Sequence, residues 1–136
     1  MDSWKNRPMP PFNEHLGFEI KEWRQGHIVI VAKVKSEYHN HSGIAHGGFV
    51  ATLLDASTAL PGVFSDTPDR VRTALTLSLN INFLGQARGE WLKAVGRVTA
   101  SGRKIFYSAA EIYDMDDTLV ASGQGVFRYR SGSEAS

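Results

Sequence analysis

Hydrophobic residues recur along this chain in two rhythms. From Leu75 to Phe83 they alternate: Leu75, Leu77, Leu79, Ile81 and Phe83 take one face, and Thr76, Ser78, Asn80 and Asn82 take the other. A period of two predicts a half-buried antiparallel strand. From His46 to Leu60 the spacing changes to three and four, through Phe49, Leu53, Ala56 and Leu60, with Val50, Ala51 and Leu54 beside them. That predicts a helix, apolar most of the way round and therefore buried, stopped by Pro61-Gly62. Shorter runs give further strands at Phe18 to Trp23, His27 to Lys35, Trp91 to Ala100, Ile105 to Tyr113 and Thr118 to Tyr129. Gln25-Gly26 marks a hairpin turn, and Ser101-Gly102-Arg103-Lys104 joins another pair. Phe12 to Leu16 can make one helical turn, ended by Gly17. Two strands, one long helix and four strands predict an α+β fold, a curved antiparallel sheet of five to six strands wrapped around one helix. The outer face then needs water or another subunit.

Length allows a single domain over 1–136 and no more. Met1 to Pro11 carries three prolines and no apolar segment, so it is expected to be an extended arm and no secretory signal. Ser131 to Ser136 is small and polar and is expected to fray. A formal net charge of +1 gives no overall pull toward nucleic acid or anionic membranes, and no basic stripe is present. No apolar run approaches the roughly 18 residues that span a bilayer. With no cysteine, disulfides, thiolate metal sites and a cysteine nucleophile are excluded. That fits a cytoplasmic protein. There is no Gly-x-Ser-x-Gly elbow, Walker loop or Gly-x-Gly-x-x-Gly.

The chemistry concentrates between Asn40 and Asp55, in Asn40-His41-Ser42-Gly43-Ile44-Ala45-His46-Gly47-Gly48 and the helix that follows. Glycines are poor helix formers, but they let a backbone N–H approach a ligand. The first helical turn has unpaired N–H groups and partial positive charge, a receptor for a carbonyl oxygen or an oxyanion. Asp55 stands among Leu53, Leu54 and Ala56, where a carboxylate is costly unless paired or used. Burial there is expected to raise its pKa and suit it to act as a base on water or as a nucleophile. Gly47 and Asp55 lie eight residues apart on one helix, roughly 12 Å along its axis. One helix cannot bring both to one carbonyl; two antiparallel copies can, in a homodimer with composite sites.

These residues resemble the PaaI-like hotdog thioesterases, close to the phenylacetyl-CoA and 4-hydroxybenzoyl-CoA thioesterase group. The likeness rests on Asn-x5-His-Gly-Gly-x7-Asp, the Leu16-Gly17 opening, the strand Leu75 to Leu84 and the Gly102-Arg103 turn. It implies an acyl-CoA thioesterase of the hotdog fold, with coenzyme A as part of the substrate and no metal or redox cofactor. It implies Asp55 as the catalytic carboxylate and Gly47 as the carbonyl-polarising N–H. Asn40 and His46 would lie near the carbonyl and the attacking water, with Thr76 helping to place the nucleophile. Ser101, Gly102, Arg103 and Lys104 would hold the CoA nucleotide. A homodimer is implied, commonly paired into a homotetramer. Phe49, Leu53 and Ser57, with parts of the partner, are expected to wall the acyl pocket.

Each residue also has a plainer role open to it. Asp55 could pair with a buried donor, Gly47-Gly48 could ease helix packing, His46 could cap the helix, and Asn40 could shape the loop. Thr76, Arg103 and Lys104 could simply be solvated. His39, His41, His46 and Asp55 raise a metal site as a rival, although their spacing matches no zinc motif. Two other functions stay open: a hotdog hydratase or dehydratase, and a non-catalytic acyl-CoA binding module.

Overall fold

The computed structural model describes residue 5, residues 9–67 and residues 69–134. Helix α1 spans Pro11–His15 and α2 spans Gly47–Ala59. The strands are β1 Glu19–Arg24, β2 His27–Lys33, β3 Ala74–Phe83, β4 Trp91–Ser101, β5 Ile105–Tyr113 and β6 Leu119–Tyr129. All six pair antiparallel in one sheet, in the order β1-β2-β4-β5-β6-β3. The sheet wraps α2, as the α+β reading requires, and every predicted strand is present to within two residues. Of the predicted N-terminal arm, residues 1–4 and 6–8 lie outside the described residues. Met9 packs against the core and Pro10 leads directly into α1.

The tail departs from expectation. Ser133 is buried, its hydroxyl accepts from Thr73 N at 3.0 Å, and its carbonyl accepts from Arg72 Nε at 3.2 Å. Fraying over residues 131–134 is therefore opposed by side-chain ties to the segment before β3; residues 135 and 136 lie outside the described residues. Past Ala59 the chain continues as a buried 3-10 turn, Leu60–Val63, so Pro61 and Gly62 redirect the helix without releasing it to solvent. Tyr129 Oη donates to Gly62 O at 2.8 Å and fixes that turn to β6.

The core fills the space between α2 and the sheet, with Leu53, Leu54, Ile28, Ile30, Phe106, Ile112 and Phe127 fully buried. The helix comes close because the sheet beneath it carries glycines. A Cβ on Gly96 would overlap the carbonyl oxygen of Ser57, and one on Gly123 would run into Asn80 O and Leu54 Cδ2. Two polar helix residues, Ser57 and Thr58, are buried with their hydroxyls paired, both donating back to Leu54 O, at 3.1 and 2.8 Å.

The helix is not buried all round. Gly48, Ala51, Thr52, Asp55 and Ala59 form one stripe that keeps some solvent access. Glycine and alanine disguise such a stripe in a hydropathy reading. The strict alternation of β3 also breaks. Thr76 pairs with Phe127 and Ser78 with Val126, so Leu77 forms a bulge. Residues opposite each other across a ladder share a face. Leu79 and Ile81, opposite Gly125 and Gly123, therefore face the helix, but so does Thr76. The bulge turns Thr76 inward, against the single-face reading of the strand.

Candidate active site

The loop ahead of α2 is shaped by Asn40. Its Oδ1 accepts from Ser42 N at 2.9 Å and Ile44 N at 3.3 Å, and its backbone N donates to Ile44 O at 2.8 Å. Gly43 takes φ of +77°, which suits glycine at this tight reversal. His39 and Ala45 then bridge, and His46 N donates to Tyr38 O at 2.8 Å. Tyr38 also stacks on Phe49, with centroids 4.8 Å apart and planes at 14°. This aromatic pair, which sequence reasoning passed over, holds the helix start in place.

His46 is the N-cap. Its Nδ1 accepts from Gly48 N at 2.8 Å, which puts the neutral ring's proton on Nε2. Phe49 N and Val50 N are taken by His46 O. Gly47 N has no acceptor among the described residues. A Cβ on Gly47 would meet only the Phe83 ring, at 3.7 Å, an ordinary contact. Packing within this chain therefore does not demand glycine there.

Asp55 lies two turns on, half-buried on the open stripe. Thr76 Oγ1 donates to its Oδ1 at 3.0 Å. Burial raises the Asp55 carboxyl above its ordinary range, and the Thr76 hydrogen bond offsets this in part. Phe49, Leu53 and Ser57 do not wall a pocket beside it. At about 100° per residue, Leu53 and Ser57 project to the opposite side of the helix from Asp55. All three are buried in the chain's own core.

The structure thus brings Asp55 and Thr76 together, and gathers His46, Gly47 and Gly48 at the helix start. Asn40 spends its carbonyl on the loop. Ser101 to Lys104 lie exposed at the β4–β5 hairpin. Ser101 pairs with Phe106, Phe106 with Phe127 and Phe127 with Thr76, one row across four strands. Three strand spacings put the hairpin roughly 14 Å from Thr76. Among the described residues no three His, Asp or Glu side chains gather as a metal cage, and His39 and His41 are exposed.

Known proteins resemble this chain in sequence and fold. A model of the thioesterase superfamily matches residues 42–121, which include Gly47, Asp55, Thr76 and the β4–β5 hairpin. PA0474 of Pseudomonas aeruginosa is 33% identical over 119 residues, 86% of this chain and 87% of its own. The medium/long-chain acyl-CoA thioesterase YigI of Escherichia coli is 25% identical over 130 residues, 86% of this chain and 84% of its own. Among solved structures, the conserved protein PA5202 of P. aeruginosa superposes with a TM-score of 0.81 at 27% identity, covering 90% of this chain and 95% of that one. The E. coli PaaI protein, from the phenylacetic acid degradation operon, gives 0.82 at 21% identity, with 96% and 89% covered, a likeness of fold. Since the family match takes in more than half of the chain, this protein belongs to the thioesterase superfamily and is a thioester hydrolase on the hotdog fold.

Proposed function

We propose that the chain hydrolyses acyl-CoA thioesters to free acid and CoA. The reading is carried by the contrast between two aspartates. Burial works on the Asp114 carboxyl too, but backbone N–H groups of Thr118, Arg88 and Asp116 outweigh it and hold the group below its ordinary range. That is what a structural carboxylate looks like. Among the described residues Asp55 has one side-chain partner, a hydroxyl, and its proton affinity is raised. A carboxylate held in that state accepts a proton from water more readily. In the base route Asp55 takes that proton as the water oxygen bonds to the carbonyl carbon. The C–S bond then breaks and CoA leaves as the thiol after protonation. In the direct route an Asp55 oxygen bonds to the carbon, expels CoA, and water cleaves the resulting anhydride. Either way negative charge develops on the carbonyl oxygen, for which Gly47 N–H is the donor.

Because Gly47 and Asp55 sit at separate levels of α2, this reading requires a second copy. The two edges of the sheet support it. β1 has four charged residues in six, as expected of an edge kept from pairing. β3 has none in ten and exposes Leu77 (55%) and Phe83 (57%). An uncharged apolar edge is where another strand adds. A tetramer would be a further pairing of such dimers. YigI's similarity supports a CoA ester as substrate. The exposed hairpin with Arg103 and Lys104 lies within reach of a CoA arm and offers cations to its phosphates.

The test is CoA release from aryl, short-chain and medium-chain esters, read with a thiol reagent to which this cysteine-free chain adds no background. Turnover on at least one class is expected. Loss of enoyl absorbance from crotonyl-CoA without CoA release would instead mark a hydratase, and tight binding without either reaction a binding module. Thr76→Val removes the contact that lowers the Asp55 pKa. The acid limb of the pH–rate profile is then expected to move to higher pH, because the ionised base appears later. The plateau rate should fall by about tenfold, the worth of one hydrogen bond to a charged group. An unmoved limb would separate Thr76 from Asp55 function.

A further inference from the structure

Beyond the end of α2 the chain forms a half-open cavity of about 480 Å³. It is lined by Ile20 and Trp23 of β1, Leu60 and Val63 of the 3-10 turn, and Val71 and Thr73 of the segment leading into β3. Met9 and Pro10 also line it. Its volume lies within the roughly 300–1,000 Å³ typical of small-molecule sites. Several of the cavity's polar groups are engaged within the chain. Trp23 Nε1 donates to Leu60 O at 2.9 Å, so the indole N–H is taken. Arg72 donates to Phe64 O at 3.0 Å and Ser133 O at 3.2 Å and lies 4.9 Å from the Tyr129 ring centroid. Lys5, the other cation in the lining, has a partner of its own. Most of the lining surface is apolar and suited to hydrocarbon.

Two elements lead from the candidate active site toward the cavity, α2 into its 3-10 turn and the segment that enters β3. Leu60 lies five residues past Asp55, roughly 7.5 Å along the axis. Thr73 precedes Thr76 by three residues, at most about 10 Å of strand. Ala59, one turn beyond Asp55 on the open stripe, carries only a methyl group. We infer that this cavity houses the acyl part of the substrate, and that the acyl group is an aliphatic chain of medium length. This rests on the thioesterase reading. With C–C bonds near 1.5 Å, a zigzag chain needs about eight carbons to span some 10 Å from a carbonyl at Asp55. Short acyl groups end before the cavity. Longer ones gain contact with each added methylene, about fourfold in kcat/KM apiece.

Two measurements test this independently. In the first, kcat/KM is followed from acetyl-CoA to dodecanoyl-CoA. It should stay flat for short chains and rise from about eight carbons. Val71 is 65% exposed, so Val71→Trp adds bulk to the cavity with little strain on the core. It should cut the ratio of dodecanoyl to butanoyl turnover by about tenfold or more. A ratio left unchanged would overturn the inference. In the second, a decanoate carrying bromine on its chain is titrated while tryptophan emission is read. Quenching should occur and be largely lost in Trp23→Phe. Quenching that is absent, or that survives in that variant through Trp4 or Trp91, would overturn it even in an active thioesterase. Quenching through Trp23 with every CoA ester left intact would keep the cavity as a fatty-chain site and remove the thioesterase reading.

Discussion

Asp55→Asn is expected to lower kcat/KM on the best CoA ester by about a hundredfold or more while leaving the fold at least as stable. The rate loss follows from removing the base or nucleophile, since an amide oxygen neither takes a proton from water nor expels a thiolate. The stability effect follows from the direction of the pKa shift. The folded protein holds the Asp55 proton more tightly than the unfolded chain, chiefly through burial. Folding is therefore favoured below the unfolded pKa, near 3.9, and that advantage is lost as pH rises through the higher folded value. Asparagine is neutral throughout and can still accept from Thr76. Thermal melts should show the variant equal to or above the wild type near pH 8, with the wild type gaining ground on it toward about pH 4. A catalytic group carried against the interests of the fold behaves in this way. Turnover within tenfold of wild type, or a variant that melts earlier near pH 8, would return Asp55 to a structural role.

Gly47→Pro is expected to lower kcat by about a hundred- to a thousandfold with an intact fold. Proline at the first helical position loses an N–H that no helical carbonyl was using. His46 already has φ −62° and ψ 140°, the extended conformation favoured by a residue before proline. Gly47→Ala keeps the N–H and has room beside Phe83, so it separates the donor from the shape. The pair of variants also tests the shared site. Co-expressed with Asp55→Asn under a second tag, Gly47→Pro should regain about a quarter of the wild-type activity. Half of the dimers are then mixed, and one of the two sites in each has both groups intact. Mixed dimers as inactive as their parents would mean that each chain works alone.

Sequence periodicity located the six strands and the central helix to within two residues because their signals are local. The errors lie where one residue's direction depends on a distant partner. Thr76 was assigned to the face away from the leucines, since alternation carries no mark of the bulge at Leu77; only pairing with Phe127 and Val126 reveals it. Phe49, Leu53 and Ser57 were expected around the acyl group, but counting along a helix does not say which side the sheet will take. Ser57 is swallowed by the sheet because Gly96 lets its backbone in, a match between two glycine-and-serine neighbours 39 positions apart. Asp55 itself was legible, since a lone carboxylate in an apolar helix is conspicuous whatever surrounds it. The cavity was not, because its walls come from β1, the turn after α2 and the segment before β3, none of which is unusual alone.

The glycines under α2 have a consequence for how such a protein can diversify. With no Cβ at Gly96 or Gly123, the rod that carries Gly47 and Asp55 sits closer to the sheet than a side chain at either position would allow. The cavity's walls come from other parts of the chain, and Val71 among them is 65% exposed. Substitutions there can retune which chain is admitted without disturbing the reacting groups. Chemistry and taste are thus inherited on separate parts of the molecule, and a relative with the same helix can be fed a different ester.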